Sequence, residues 1–257
     1  MAPASDGAFA AWLAAKTGEL LIGLRDALGF GDPEALRRAG DKQAHELLMT
    51  ELARWRPADE VLSEEGVRDD PARLSAERVW IVDPLDGTRE YGEVDRIDWA
   101  VHVGLWTNAT ASLSAGAIAL PAAYRVLSTE PAPAYPSMHP DAAEGGPIRI
   151  VTSRTRPPSF LPELAASEGA VLVPMGSAGA KIAAVITGDA DAYIHAGGQY
   201  EWDSAAPVAV ALSTGLHASR INGDPLTYNR PDPSLPDLLV CRTDLAPRLL
   251  SALSHLC

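Results

Sequence analysis

Four apolar residues, Val79-Trp80-Ile81-Val82, stop abruptly at Asp83-Pro84-Leu85-Asp86-Gly87-Thr88. The run has the length and composition of a buried strand. Two acids therefore stand at a strand end, with a proline between them fixing the turn. Gly87 lets the backbone approach a ligand closely, and the Thr88 hydroxyl follows at once. Carboxylate oxygens are hard donors that suit Mg²⁺, which takes a few of them and completes its shell with water and phosphate. The N–H groups of Gly87 and Thr88 stand where turn and helix-start amides hold phosphate oxygens. D-P or D-G alone is ordinary turn chemistry; the whole string directly after a strand is what narrows the choice.

The bulk properties restrict the partners. At 257 residues the chain can bury a large core, as one domain or two joined halves. A net charge of −13 leaves no basic surface for a nucleic-acid polymer or an anionic membrane. An acidic protein that handles phosphate esters needs local cations, which a Mg²⁺ cluster would supply. Cys241 and Cys257 form neither a disulfide framework nor a C-x-x-C pair. The opening MAPASDGAFAAWLAAK lacks a charged segment followed by a long apolar one, and no apolar run has membrane-spanning length. A cytoplasmic location is expected.

Along the chain, Ser5 or Asp6 caps a first helix that runs to Leu28 and stops at Gly29. A short helix with Asp32 as cap and Pro33 at its first position ends at Gly40, and Asp41 then opens another as its N-cap. Val61–Ser63 is a short strand ending in Glu64-Glu65, and Arg68–Arg78 reads as a mobile loop. After Thr88, a turn leads to a strand within Ile97–Trp106, with Trp99, Val101, Val103 and Leu105 on one face. Ala115–Leu120 and Tyr124–Ser128 pair around Pro121. These consecutive strands suggest an antiparallel sheet, followed by a proline-rich linker over Thr129–Pro147.

The second half alternates strand and helix, which argues for an α/β layer. Strands are expected at Ile148–Thr152, Ala170–Val173, Ala192–His195, His217–Ile221 and Leu238–Cys241, with a hairpin turn at Asn222-Gly223. Helices fall at Phe160–Ser167, Gly176–Thr187, Ser204–Thr214 and Leu245–Leu256. The halves divide as residues 1–146 and 147–257. In the second, Asp203 begins a helix, where a carboxylate is favoured. Ser177 and Lys181 lie four apart on one helix face, so a hydroxyl and an ammonium can meet a non-reacting phosphate. A turn serine and a surface lysine fit the same spacing. Ser153-Arg154 at a strand end is a similar candidate, and His195 beside Gly197-Gly198 either lines a base or sugar pocket or is structural.

Asp83–Thr88 resembles the D-P-[IL]-D-G-T signature of the lithium-sensitive, Mg²⁺-dependent phosphatases, the inositol monophosphatase superfamily. Trp202-Asp203-Ser204-Ala205-Ala206 resembles its second signature, W-D-x-A-A, although the family continues with glycine where this chain has Pro207. Asp41 and Glu64-Glu65 stand where the family carries an acid that reaches the catalytic threonine and an acidic pair near the metals. The resemblance implies a layered αβαβα sugar-phosphatase fold, of α+β / α/β class. Leucine in the third place, Arg89-Glu90-Tyr91 after the motif and Glu201 before Trp202 look more like the CysQ-type 3′(2′),5′-bisphosphate nucleotidases. VTSRTRPP, GSAGAK and HAGGQYEWDSAAP look like the actinobacterial form.

By residue-to-residue transfer, that resemblance implies Glu64, Asp83 and the Leu85 carbonyl at a first Mg²⁺. Asp83, Asp86 and Asp203 take a second, with a third, looser ion near Glu64. Substrate lies on Leu85, Asp86, Gly87, Thr88 and Asp203, and Ser153, Ser177 and Lys181, read above from the residues themselves, are the further candidates. Thr88, held by Asp41, orients and deprotonates the attacking water, and no phosphoenzyme forms. The implied reaction takes 3′-phosphoadenosine 5′-phosphate (PAP) to AMP and phosphate, with the sulfated analogue PAPS as a further substrate, in sulfur assimilation. The alternatives are inositol monophosphate or fructose 1,6-bisphosphate as substrate, or a non-catalytic interaction protein of the same fold; a homodimer is left open.

Overall fold

The computed structural model describes residues 1–66, 71–137 and 146–256. Two five-stranded sheets carry the chain. In the first, strands lie in sequence order: β1 (Glu60–Ser63), β2 (Arg78–Asp86), β3 (Ala100–Thr107), β4 (Ser112–Leu120) and β5 (Arg125–Ser128). β2 to β5 pair antiparallel, as expected. β1 pairs parallel with β2, so this sheet is mixed. The reason is the long connection from Glu64 to Glu77, which carries the chain back to the same end of the sheet, as a parallel pair requires. That connection is not wholly the loop expected over Arg68–Arg78. Ala72–Ser75 forms a short helix, α3, whose buried Arg73 donates to Asn229 Oδ1 and the Arg230 carbonyl. Residues 67–70 lie outside the described residues, as do residues 138–145 of the expected linker.

Two long helices, α1 (Asp6–Leu28) and α2 (Pro33–Trp55), cover one face of this sheet. Their Phe9, Leu13, Leu21 and Leu48 pack on Trp80, Val82, Val101 and Val103. α2 is continuous, where a break at Gly40 and a new cap at Asp41 were expected. Gly40 is a contact point: a Cβ there would lie 2.8 Å from Tyr91 and 2.9 Å from Leu85. Packing, not chain termination, explains this glycine, and Asp41 is a mid-helix residue.

The second sheet has the order β7-β6-β8-β10-β9: β6 (Ile148–Ser153), β7 (Ala170–Met175), β8 (Ala192–Tyr200), β9 (His217–Ser219) and β10 (Ser234–Cys241). β8 and β10 extend beyond their expected ends because Tyr200 pairs with Ser234 past an irregularity at Leu235/Asp237. Asn222-Gly223 makes a local turn, Gly223 N–H to the Arg220 carbonyl at 3.0 Å, but does not join neighbouring strands directly. Asp237 on β10 instead holds that segment, accepting the Ile221 N–H at 2.9 Å. α5 (Leu161–Glu168) and α8 (Ala246–Leu253) close the outer face over Ile150, Ile194 and Leu239.

Between the sheets lie α6 (Ala178–Thr187) and α7 (Glu201–Ser213), giving the αβαβα layering. α7 lies against backbone: a Cβ on Gly116 of β4 would stand 2.9 Å from both the Ala206 carbonyl oxygen and Ala209 Cβ. Pro207 belongs to the second turn of α7. Among the described residues no helix is long and apolar enough to cross a membrane.

Candidate active site

Pairing places the acids before any long-range packing does. β1 runs parallel to β2 with Ser63 opposite Val82, so Glu64 leaves its strand beside Asp83. β2 continues through Asp83 to Asp86, both almost fully buried. Gly87 then turns the chain at φ +85°, a left-handed value that glycine adopts without strain. The turn feeds a single helical turn, α4 (Thr88–Tyr91). From the other side, α7 enters with Asp203 in its first turn, where Asp203 Oδ2 accepts the Tyr200 N–H at 2.6 Å and closes the helix start. One carboxylate oxygen each from Asp83, Asp86 and Asp203 lies within 4.8 Å of the others. Glu64 shares a hydrogen bond with Asp83, and all four acids line one open cleft.

The orienting contacts are equally specific. Thr88 Oγ1 stands 2.9 Å from the Leu85 carbonyl and 3.3 Å from Asp41 Oδ1, so its single proton is shared between the two. Asp83 Oδ1 accepts the Leu85 N–H at 3.0 Å. Asp86 Oδ2 is held from α6, accepting from Ser177 Oγ at 2.5 Å and from Gly179 N–H at 2.7 Å. Ser177 has φ +47°, a conformation costing a non-glycine residue about 1–3 kcal/mol. Its hydroxyl fixes it from both sides, donating to Asp86 and accepting the Ala180 N–H.

Without a cation, this arrangement resists ionisation. Burial, then the charges of Glu64, Asp86 and Asp203, hold Asp83 well above the usual carboxylate range. Burial and the Asp86 charge push Asp203 up to about 8. Burial is also the main cause for Glu64, raised to about 7, and for Asp41, raised to about 6 with Glu65 adding to it. Lys181 does not neutralise the group by contact. It is buried, and its Nζ donates to the Ser177 carbonyl at 2.6 Å and the Gly176 carbonyl at 3.1 Å. Buried carboxylates with no ammonium or guanidinium bonded to them are costly unless a cation joins them. The donor set is oxygen only, so it fits a hard divalent ion such as Mg²⁺.

Asp41, Glu64, Asp83, Leu85, Asp86, Gly87, Thr88 and Asp203 thus come together. Ser177 and Lys181 also line the cleft, with the hydroxyl aimed at Asp86 and the ammonium at backbone carbonyls rather than at open space. Ser153 lines it too, its Oγ accepting the Arg156 N–H at 3.1 Å. Arg154 is engaged by Glu90 at 2.7 Å and Glu93 at 2.9 Å.

Other residues escaped the sequence reading. His102 on β3 is completely buried, with Nδ1 3.0 Å from the Trp202 carbonyl and Nε2 3.3 Å from Asp86 Oδ2. Burial holds its pKa down, and because a carbonyl can only accept, the Nδ1–H donates to it. A histidine alternating with Val101 and Val103 on a buried strand was the available signal. Asp98 accepts the Gly176 N–H at 2.6 Å and ties the α6 entrance to the first sheet. Nothing in the local sequence marks that contact.

The inositol monophosphatase family pattern matches residues 26–255. The chain is 48% identical to the 3′-phosphoadenosine 5′-phosphate phosphatase of Mycobacterium leprae, over 97% of this chain and 93% of that one. It is 29% identical to the 3′(2′),5′-bisphosphate nucleotidase CysQ of Escherichia coli, over 74% and 78% of the two chains. Among solved structures, inositol monophosphatase II of Staphylococcus aureus superposes with a TM-score of 0.77 at 23% identity, covering 96% of each chain.

Proposed function

The chain belongs to the inositol monophosphatase family, and from that premise we propose that it is a Mg²⁺-dependent phosphomonoesterase that removes the 3′-phosphate of PAP, releasing AMP and phosphate. The observation that carries the chemistry is the group formed by buried Asp83 and Asp86 with half-buried Asp203, beside Glu64. The substrate is supported by the name of the Mycobacterium leprae relative, at nearly half identity over almost the whole chain. PAPS is a further substrate on this reading, and a role in sulfur assimilation follows from it.

Glu64, Asp83 and the Leu85 carbonyl would hold one ion, and Asp83, Asp86 and Asp203 a second, with a third near Glu64. When bound, the ions would supply charge neutralisation for the phosphate and a more acidic water. The chain's own residues do the positioning. Asp41 and the Leu85 carbonyl fix the Thr88 hydroxyl on the cleft side of the motif, where it can orient a nucleophile and pass on a proton. The sharp turn at Gly87 brings backbone within reach of a phosphate: a Cβ there would already stand 3.1 Å from Ser177 and 3.2 Å from the Asp98 carbonyl. Ser177 and Gly179 hold Asp86 from the second half, so residues 1–146 and 147–257 each contribute to one centre.

Turnover of PAP, inositol monophosphate and fructose 1,6-bisphosphate should be compared with and without Mg²⁺. A preference for PAP that vanishes with chelator is the expected result. A preference for either other ester would overturn the substrate, and metal-independent turnover would overturn the chemistry.

A further inference from the structure

Strand alternation sends neighbouring residues of β1 to opposite faces of the first sheet. Val61 packs with the core under α1 and α2, and Leu62 with the core between the sheets. Ser63 therefore returns to the α2 side, and Glu64 leaves toward the cleft. The Ser63 hydroxyl lies on an apolar side and the residue is only 3% exposed, so it needs a partner. Among the described residues that partner is His45 of α2, whose Nδ1 stands 3.0 Å from Ser63 Oγ. Either atom can donate, so the bond exists with both neutral tautomers of the ring.

His45 lies four residues after Asp41, on the same face of α2. Four residues of helix advance about 6 Å, and neighbouring strands lie about 4.8 Å apart, so one helix face can reach the ends of two adjacent strands. α2 does so here. Asp41 holds Thr88 just beyond β2, at 3.3 Å, and His45 holds Ser63 at the end of β1. The two strands pair parallel with Ser63 opposite Val82, so both contacts fall at the same end of the sheet. The turn that carries Glu64 starts from the same serine: the Gly66 N–H donates to the Ser63 carbonyl at 3.1 Å. Glu64 leaves that turn to share its hydrogen bond with Asp83. Neither His45 nor Ser63 lines the cleft among the described residues, so the pair acts through the backbone and not on the substrate.

We propose that His45 is a positioning residue for the metal centre: by fixing Ser63 it sets where the turn begins, and so where the Glu64 carboxylate stands against Asp83. This rests on the reading in which Glu64 and Asp83 hold an ion together. On this assignment α2 aligns both the threonine and the glutamate of the centre, through two side chains one turn apart.

The test uses the full chain and four variants: His45→Ala, His45→Asn, Ser63→Ala, and His45→Ala combined with Ser63→Ala. Calorimetric titration with Mg²⁺ alone reads ion affinity without turnover. His45→Ala and Ser63→Ala should each weaken it about tenfold, the lower end of what losing the support of a metal ligand costs. The double variant should be no weaker than either, because both single changes remove the same bond. His45→Asn, whose amide reaches as far from the backbone as Nδ1, should recover most of the loss. Ser63→Ala deletes a single oxygen and carries the test if His45→Ala is too unstable to titrate. With PAP, the Mg²⁺ concentration for half-maximal turnover should rise in parallel, while KM at saturating Mg²⁺ stays near the wild-type value. Variants that melt lower in chelator yet bind Mg²⁺ as the wild type does make the contact merely structural, and losses that add in the double variant break the link through Ser63. Either result overturns the assignment and leaves the proposed reaction intact. A wild type that neither binds Mg²⁺ nor needs it for turnover overturns both.

Discussion

Gly116→Ala adds one methyl where helix and sheet meet, and its consequence can be worked from distances. The new Cβ would stand 2.9 Å from the Ala206 carbonyl oxygen, 2.9 Å from Ala209 Cβ and 3.3 Å from Ala206 Cα. Optimal carbon–carbon separations are about 3.5–4.0 Å, so α7 must rise by roughly half an ångström or more. None of the three atoms belongs to a flexible side chain, and the opposite face of α7 is packed as well. Overfilling a core of this kind costs about 1–3 kcal/mol. For a chain of this size that corresponds to a fall in melting temperature of roughly 3–10 °C. Asp203 sits one turn before Ala206 on the same rigid helix, so the rise also draws a carboxylate away from Asp83 and Asp86. The Mg²⁺ concentration giving half-maximal activity should then increase about tenfold, the usual effect of disturbing the support of a metal ligand. Gly23→Ala is the matching control: it lies in α1 with open space around its would-be Cβ and should melt at or slightly above the wild type. Melting curves and Mg²⁺ titrations of the two variants decide the matter. If Gly116→Ala melts like Gly23→Ala with an unchanged Mg²⁺ requirement, the close approach of α7 to the sheet does not set the position of Asp203.

Asp83→Asn should abolish turnover by orders of magnitude yet raise the melting temperature of the chelated protein at neutral pH, because an amide is neutral in both states and removes the cost of holding protonated a buried carboxyl that ionises in the unfolded chain; a less stable variant in chelator contradicts that argument. Folding raises Asp41, Glu64 and Asp203 to about 6, 7 and 8, so the metal-free folded state keeps protons that the unfolded chain has released. The stability they confer is fully present below about pH 4 and is lost as pH rises through those values. In chelator the melting temperature should therefore fall between pH 5.5 and 8.5, and Mg²⁺ should close most of that gap. Thr88→Ala should lower kcat about a hundredfold or more with KM changed little, and a KM-only effect would assign Thr88 to binding. Lys181→Met removes the ammonium from the Gly176 and Ser177 carbonyls, leaving the latter only the residue 181 backbone N–H, and should destabilise by about 1–3 kcal/mol; the variant's urea midpoint measures this.

The reach of sequence reasoning followed the range of the forces involved. Asp83 to Thr88 was legible because the strand, the proline-fixed turn and the acids are set within a few residues. Asp203 was read locally as a carboxylate at a helix start and stands in the first turn of α7, whereas the local reading of Asp41 as an N-cap was wrong. Asp41 stands in the middle of α2, because Gly40 is there for Tyr91 and Leu85 and not to end a helix. The layered fold was foreseen, but the parallel β1 depends on a long connection whose docking, Arg73 to Asn229, joins residues far apart in the chain. Ser177 and Lys181 were candidates for the second phosphate from helical spacing, with a turn serine and a surface lysine as the alternative. Spacing says that two side chains share a face, but not that the turn below them offers carbonyls nearer than any ligand. His102 and Asp98 lie at the same limit, since their partners come from α7 and α6.

Asp86 is fixed by donors from Ser177 and Gly179, and its neighbour Asp203 arrives on α7 from beyond both. Neither half of the chain alone therefore holds all of these groups. A ribosome must release nearly the whole polypeptide before the acids can meet, and until then they are separate surface charges with little to gain from a cation. Expressed apart, the two halves should each be silent, with turnover returning only on their reassembly.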